Sequence, residues 1–156
     1  MTFIAFYPIV IDMITDWLKP DRMGLTQLHN AAIYGKLDQV PLDILTQENL
    51  LAKCKTGNTV LHYAADSGYL HQVPSWLLTV SNLLFEDVNG QTSFHLAAES
   101  GELHQFPKEL LTEANMLVGD VRLMTPLHLA ANGGNLHQVP EFILSVNNLL
   151  VLNNYS

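Results

Sequence analysis

The stretch "LHLAANGGNLHQVP", residues 127–140, brings two histidines, a Gly-Gly pair and a proline close together. Whether His128 and His137 form a ligand set or belong to a scaffold depends on whether they stand alone. They do not. His29, His62, His95 and His128 follow one another in steps of 33 residues. The same step joins Thr26, Thr59, Thr92 and Thr125, and the Ala-Ala pairs that begin at Ala31, Ala64, Ala97 and Ala130. It also joins the glycines at 35, 68, 101 and 134, the leucines at 37, 70, 103 and 136, and the glutamines at 39, 72, 105 and 138. Pro41, Pro74, Pro107 and Pro140 keep the register, as do Asn49, Asn82, Asn115 and Asn148. Agreement of so many columns in one period makes the chain a tandem array of one unit, and the array has to be read before any local element.

Each unit has a physical reading. A turn around Gly24, Gly57 or Gly90 precedes a threonine whose hydroxyl can cap a helix, and in the last unit Pro126 takes the favoured first helical position. The histidine three residues on can reach back to the cap as the glutamate of a capping box does. The alanines let neighbouring helices approach closely, and the glycine after them ends the helix in a left-handed conformation. Leu70, Val73 and Leu77, with Leu37, Val40 and Ile44, fall at helical spacing and predict a second helix. Proline is tolerated only in a first turn, so that helix is placed near Pro41, Pro74, Pro107 and Pro140. Thr46, Thr79, Thr112 and Ser145 then open a third, one-turn helix. Its asparagine, three residues on, is read as bonding the backbone at the turn and as one rung of a ladder.

Composition narrows the function. Hydrophobic residues make up 48% of the 156 and charged ones 14%, which describes a folded chain. Seven Lys plus Arg against fifteen Asp plus Glu, a net charge of -8, argue against nucleic acid and anionic membrane as partners. The apolar start, Met1 to Ile11, is too short to span a bilayer and has neither the basic flank nor the cleavage site of a secretory signal. One cysteine excludes an intrachain disulfide and fits a reducing, cytoplasmic setting.

The sequence "TPLHLAA" at 125–131, with "TQLHNAA", "TVLHYAA" and "TSFHLAA" three, two and one periods earlier in the chain, resembles the signature of the ankyrin repeat family. The resemblance covers residues 21 to 152 and departs from the common pattern in the second half of each unit, at "QVP" and "NLL". It implies an all-α solenoid of stacked helix-turn-helix repeats with short, β-hairpin-like tips. The units are then 21–53, 54–86, 87–119 and 120–152. Residues 1–20 are a worn half-repeat serving as an N-terminal cap, since Pro8 and Ile11 precede Pro41 and Ile44 by one period, and 153–156 are a polar tail.

The resemblance further implies a non-catalytic module that binds a protein or peptide through its turn tips and first helices. The family's recognition positions fall on Arg22, Met23, Leu25, Lys55, Asn58, Asn89, Gln91, Arg122 and Met124 at the tips, with Thr56, Val88 and Val121 beside them. On the helices they fall on Ile33, Tyr34, Asp66, Glu99 and Asn132, with Ser67, Ser100 and Gly133. These columns vary between units while the framework columns do not. Met23, Leu25, Ile33 and Tyr34 suit an apolar anchor, and Asp66 and Glu99 suit a basic neighbour on the partner.

Seven histidines also raise metal or acid-base chemistry, with His71, His104 and His137 as a second column. A reactive centre is a single asymmetric constellation, whereas these recur with the scaffold and lack HExxH or CxxC spacing, so no metal, cofactor or catalytic residue is assigned. Two positions break the pattern. Cys54 stands where other units have Asp21, Asp87 and Asp120 and is read as exposed; Leu123 replaces the turn glycine, which predicts either a reshaped fourth turn or a specificity feature, an extra apolar residue between Arg122 and Met124. A remaining alternative is a structural solenoid, monomeric or weakly self-associating through the last unit, since the sequence stops where a fifth turn would begin.

Overall fold

The structure, a computed structural model, describes residues 16–145. The reading of 1–15 as part of a cap, and of Asn148 and the tail, lies outside the described residues. Long first helices alternate with one-turn helices: α1 (Gln27–Ile33), α2 (Gln47–Leu50), α3 (Val60–Asp66), α4 (Val80–Leu83), α5 (Ser93–Ser100), α6 (Glu113–Met116) and α7 (Pro126–Asn132). No strand occurs among the described residues. Helices α1, α3, α5 and α7 pack each on the next, with their alanine pairs at the contact. An alanine side chain keeps two backbones close, and Ala32, Ala64, Ala65, Ala97, Ala98 and Ala130 are wholly buried.

Both ends of these helices follow from the repeated residues. The backbone N–H groups of Thr26, Thr59, Thr92 and Thr125 donate to Nδ1 of the histidine three residues on, at 3.1–3.2 Å. In three of the four, the histidine N–H returns a bond to the threonine hydroxyl at 3.3–3.4 Å. Two of the first-turn donors that a helix leaves unpaired are thus satisfied locally. At the other end Gly35 adopts φ +64, and the N–H of Lys36 reaches back to the Ala31 carbonyl at 2.7 Å. Tyr69, Glu102 and Asn135 repeat that six-residue closure onto Ala64, Ala97 and Ala130.

The expected second helix does not form as an α-helix. Its span is split into single 3-10 turns, Leu70–Gln72 and Ser75–Leu77 in the second unit, Leu103–Gln105 and Lys108–Leu110 in the third, Leu136–Gln138 and Glu141–Ile143 in the fourth. The first unit has Leu37–Gln39 followed by a hydrogen-bonded turn, with Ile44 N donating to the Pro41 carbonyl at 2.9 Å. Val73 and Pro74 between the turns are extended, with ψ 133 and 130. The proline ring clashes with an α conformation at the residue before it, so Val-Pro breaks the helix that the spacing of Leu70, Val73 and Leu77 predicts. The apolar residues still face inward because a 3-10 turn and an extended link bring the same three side chains to one side. Val73 and Leu77 stay buried.

The missing helix leaves backbone groups to be satisfied, and glutamine does this. Gln72 accepts from Leu37 N at 3.0 Å and donates to the Gly35 carbonyl at 3.0 Å, tying the second unit to the first. Gln138 does the same to His104 N and Gly101 O. Gln105 instead bonds His71 and His104. Asn49, Asn82 and Asn115 donate to the carbonyls of Ile44, Leu77 and Leu110 at 2.7–2.9 Å. They staple the one-turn helix to the preceding turn, as expected, but the link between units is Gln47 to Asn82 at 3.0 Å, not a run of asparagines.

Candidate partner-binding surface

Each turn is a five-residue loop closed on itself, for example Asp21 N to Leu25 O at 2.8 Å and Gly24 N to Asp21 O at 3.0 Å. Asp21 Oδ1 accepts from the N–H groups of Met23 and Leu25, Asp87 from those of Asn89 and Gln91, and Asp120 from those of Arg122 and Met124. One carboxylate therefore holds the backbone of a whole tip. The tips lie side by side, because Lys55 N bonds Met23 O, Val88 N bonds Thr56 O and Val121 N bonds Asn89 O. These single bonds make a row of linked short turns, with no strand among the described residues.

Cys54 departs from expectation. It is 7% exposed, with Sγ 3.0 Å from Thr56 Oγ1 and 3.5 Å from Tyr63 O–H. Between Thr56 and Tyr63 the thiol packs inward as a small, largely apolar side chain. Burial pushes the thiol up, yet the bonds to Thr56 and Tyr63 and to the backbone of Thr56 and Asn58 leave it below its ordinary value.

The fourth turn is not reshaped either. Leu123 takes φ +62, the left-handed conformation that Gly24, Gly57 and Gly90 hold at 77, 80 and 74. Asp120 and its two bonds dictate the loop, and the leucine conforms. At Gly57 the space is also closed, since a Cβ there would stand 2.7 Å from Val88 N. Leu123 is 57% exposed. Relieving a left-handed leucine is worth about 1 kcal/mol, so Leu123→Gly is expected to raise stability by that amount in urea unfolding. A loss of stability would show that the side chain contributes more than the strain costs.

The row carries Arg22, Met23, Lys55, Asn89 and Arg122 exposed, while Leu25, Asn58 and Met124 are half-buried. Gln91 corrects the expectation. It is 8% exposed, and its backbone is used by Asp87 and by His62, so its place is inside the stack. Asn58 donates to Thr56 Oγ1, and its buried Oδ1 has no partner among the described residues. On the helices Tyr34, Asp66, Glu99 and Asn132 are exposed and Ile33 is half-buried. Partial burial raises the Asp66 carboxyl above its ordinary value, and the charges of Glu99 and Glu102 raise it further. These acids from neighbouring units therefore share one negative face.

The histidines have different work. His29, His62 and His95 are wholly buried. Their Nδ1 accepts from threonine, so Nε2 carries the hydrogen and donates to the carbonyls of Ala52, Gln91 and Met124, each at 3.1 Å. The ring thereby bridges the helix cap to the segment leading into, or closing, the following turn. Among the described residues no group of three His, Cys, Asp or Glu is placed to hold a metal ion. No helix of these residues is long and apolar enough to cross a membrane.

No curated protein matches the sequence. The family model of the ankyrin repeat matches residues 122–154, the segment that holds the Leu123 turn and α7. Within that match, the described residues carry the capped helix, the alanine contact and the glycine closure, so this segment is similar to an ankyrin repeat in sequence and, as far as residue 145, belongs to the helical stack.

Proposed function

We propose that the protein is a non-catalytic binding module for a protein or peptide, contacted through the turn row and the exposed ends of α1, α3, α5 and α7. The units are taken as 21–53, 54–86, 87–119 and 120–152, on the 33-residue step. One contrast carries the reading: the columns that repeat, Thr26 and His29 with their equivalents, are buried, while most of those that vary, from Arg22 and Tyr34 to Glu99 and Asn132, meet solvent. Ankyrin repeats are protein-interaction modules that typically have no catalytic role. A preformed surface loses little conformational entropy on binding, which a row of turns held by Asp21, Asp87 and Asp120 supplies. The single unpaired thiol supports a cytoplasmic setting.

Affinity capture from native lysate identifies the partner, and Tyr34→Ala and Glu99→Lys test the surface. Each is expected to weaken binding by about tenfold without lowering the melting temperature, because both side chains are exposed. Unchanged affinity in both variants refutes the assignment of this face.

A further inference from the structure

The extended Val-Pro link that replaces a second α-helix opens a groove between the first and second units, of about 540 Å³. Val40, Leu45 and Val73 line its depth, Leu42 and Trp76 stand as its walls, and Asp38 is on its rim. Leu42 is 71% exposed and Trp76 67%. Neither belongs to a core column. One period apart, Leu42 is replaced by Ser75, Lys108 and Glu141, and Trp76 by Asp43, Glu109 and Phe142. Asp38 likewise stands where the other units have His71, His104 and His137. Three departures from the repeat thus converge on one groove, while Leu37, Gln39, Val40 and Pro41 keep the framework around it. A bulky indole left largely in water, at a position where folding accepts an aspartate, has the character of a contact residue.

Charge selects the occupant. Asp38 makes no ion pair among the described residues, and the chain carries a net charge of -8. His71, on the same groove, is bonded to Gln105 at 2.8 Å. The corresponding groove between the third and fourth units, about 340 Å³, has Lys108 and Phe142 as walls and so lacks the acid. A carboxylate without an ion pair on the same groove as an exposed tryptophan suits a guanidinium or ammonium, for which an ion pair and a cation–π contact are both on offer. The apolar depth between Leu42 and Trp76 suits a large aliphatic side chain next to it.

We propose that this groove is a second docking surface, sharing no residue with the turn row, for an extended segment of another protein that sets a large apolar side chain beside an arginine or lysine.

The test uses the full chain and four capped octapeptides of glycine and serine carrying Leu-Arg, Leu-Gln, Leu-Glu or Gly-Arg at the centre. Binding is followed on the indole N–H resonances of the two tryptophans, with Trp17 as internal reference. The Leu-Arg peptide is expected to shift the Trp76 resonance, leave that of Trp17 in place, and bind about tenfold more tightly than Leu-Glu. Calorimetry on Trp76→Ala and Asp38→Asn is expected to show a loss of about fivefold or more in each, and Tyr34→Ala to bind as the parent does. Equal affinity for Leu-Arg and Leu-Glu, no response of Trp76 to any peptide, or binding indifferent to both groove substitutions overturns the proposal. Concentration-dependent self-association that Trp76→Ala abolishes also overturns it, since the occupant is then a second copy of the chain.

Discussion

Replacing His62 with alanine is expected to cost about 3–5 kcal/mol of folding free energy, the largest effect of any single exposed or buried polar change in the stack. The ring is wholly buried and makes contacts at both nitrogens. Nδ1 takes the Thr59 N–H at 3.2 Å and lies 2.8 Å from the Thr59 hydroxyl, and Nε2 donates to the Gln91 carbonyl at 3.1 Å. Alanine removes the bulk of a packed ring and leaves a buried carbonyl and a buried N–H without partners, so cavity and desolvation losses add. His62→Gln keeps an acceptor within reach of the cap and is expected to recover about 1 kcal/mol. His71→Ala, at an exposed ring, is expected to change stability by less than about 0.5 kcal/mol. Urea midpoints for the three variants check the ranking, and similar losses at His62 and His71 would falsify the bridging role.

Acid is expected to unfold the protein from a higher pH than carboxylate titration alone explains. His29, His62 and His95 are all held below the ordinary value of 6.5, chiefly because burial disfavours the charged ring. Bonds to the carbonyls of Ala52, Gln91 and Met124 oppose this, as do Asp21 for His29, Asp87 for His62, and Asp120 and Asp87 for His95. Lys53 lowers His62 further. In the unfolded chain the rings take up protons as the pH falls through 6.5, while in the folded chain they stay neutral to a lower pH. The unfolded state then binds more protons, so stability is full above 6.5 and is lost as the pH falls from there toward the depressed folded values. Each ring contributes a slope of at most about 1.4 kcal/mol per pH unit, and three together about 4. Urea midpoints between pH 8 and pH 5 measure it. A flat profile down to pH 5 contradicts the mechanism, and His62→Gln is expected to reduce the slope by about a third.

The same ring shows how much could be read in advance. That His62 caps its own helix is a local matter: a three-residue offset from Thr59 puts the ring beside the first-turn donors whatever surrounds it. That its other nitrogen closes on Gln91, 29 residues on, depends on where the next turn lies. Cys54 was misread for this reason. Its column holds aspartates, but exposure depends on which atoms surround the side chain, and Tyr63 and Thr56 fill that space. Leu123 was misread in the opposite direction, because a turn closed by Asp120 and bonded through Val121 to Asn89 imposes its conformation on a residue that alone would avoid it. Gln91 shows the limit at the candidate surface: its column varies between units as a contact column does, yet its side chain lies inside.

By itself the amino-acid sequence determined the period, the starts and stops of the first helices, and the division into constant and varying columns, because each depends on residues within one 33-residue step. Only the tertiary structure decided that glutamines tie unit to unit and that Asp38, Leu42 and Trp76 line one groove. Those outcomes depend on the space and the unpaired backbone groups that neighbouring units leave each other, which spacing along a chain does not encode.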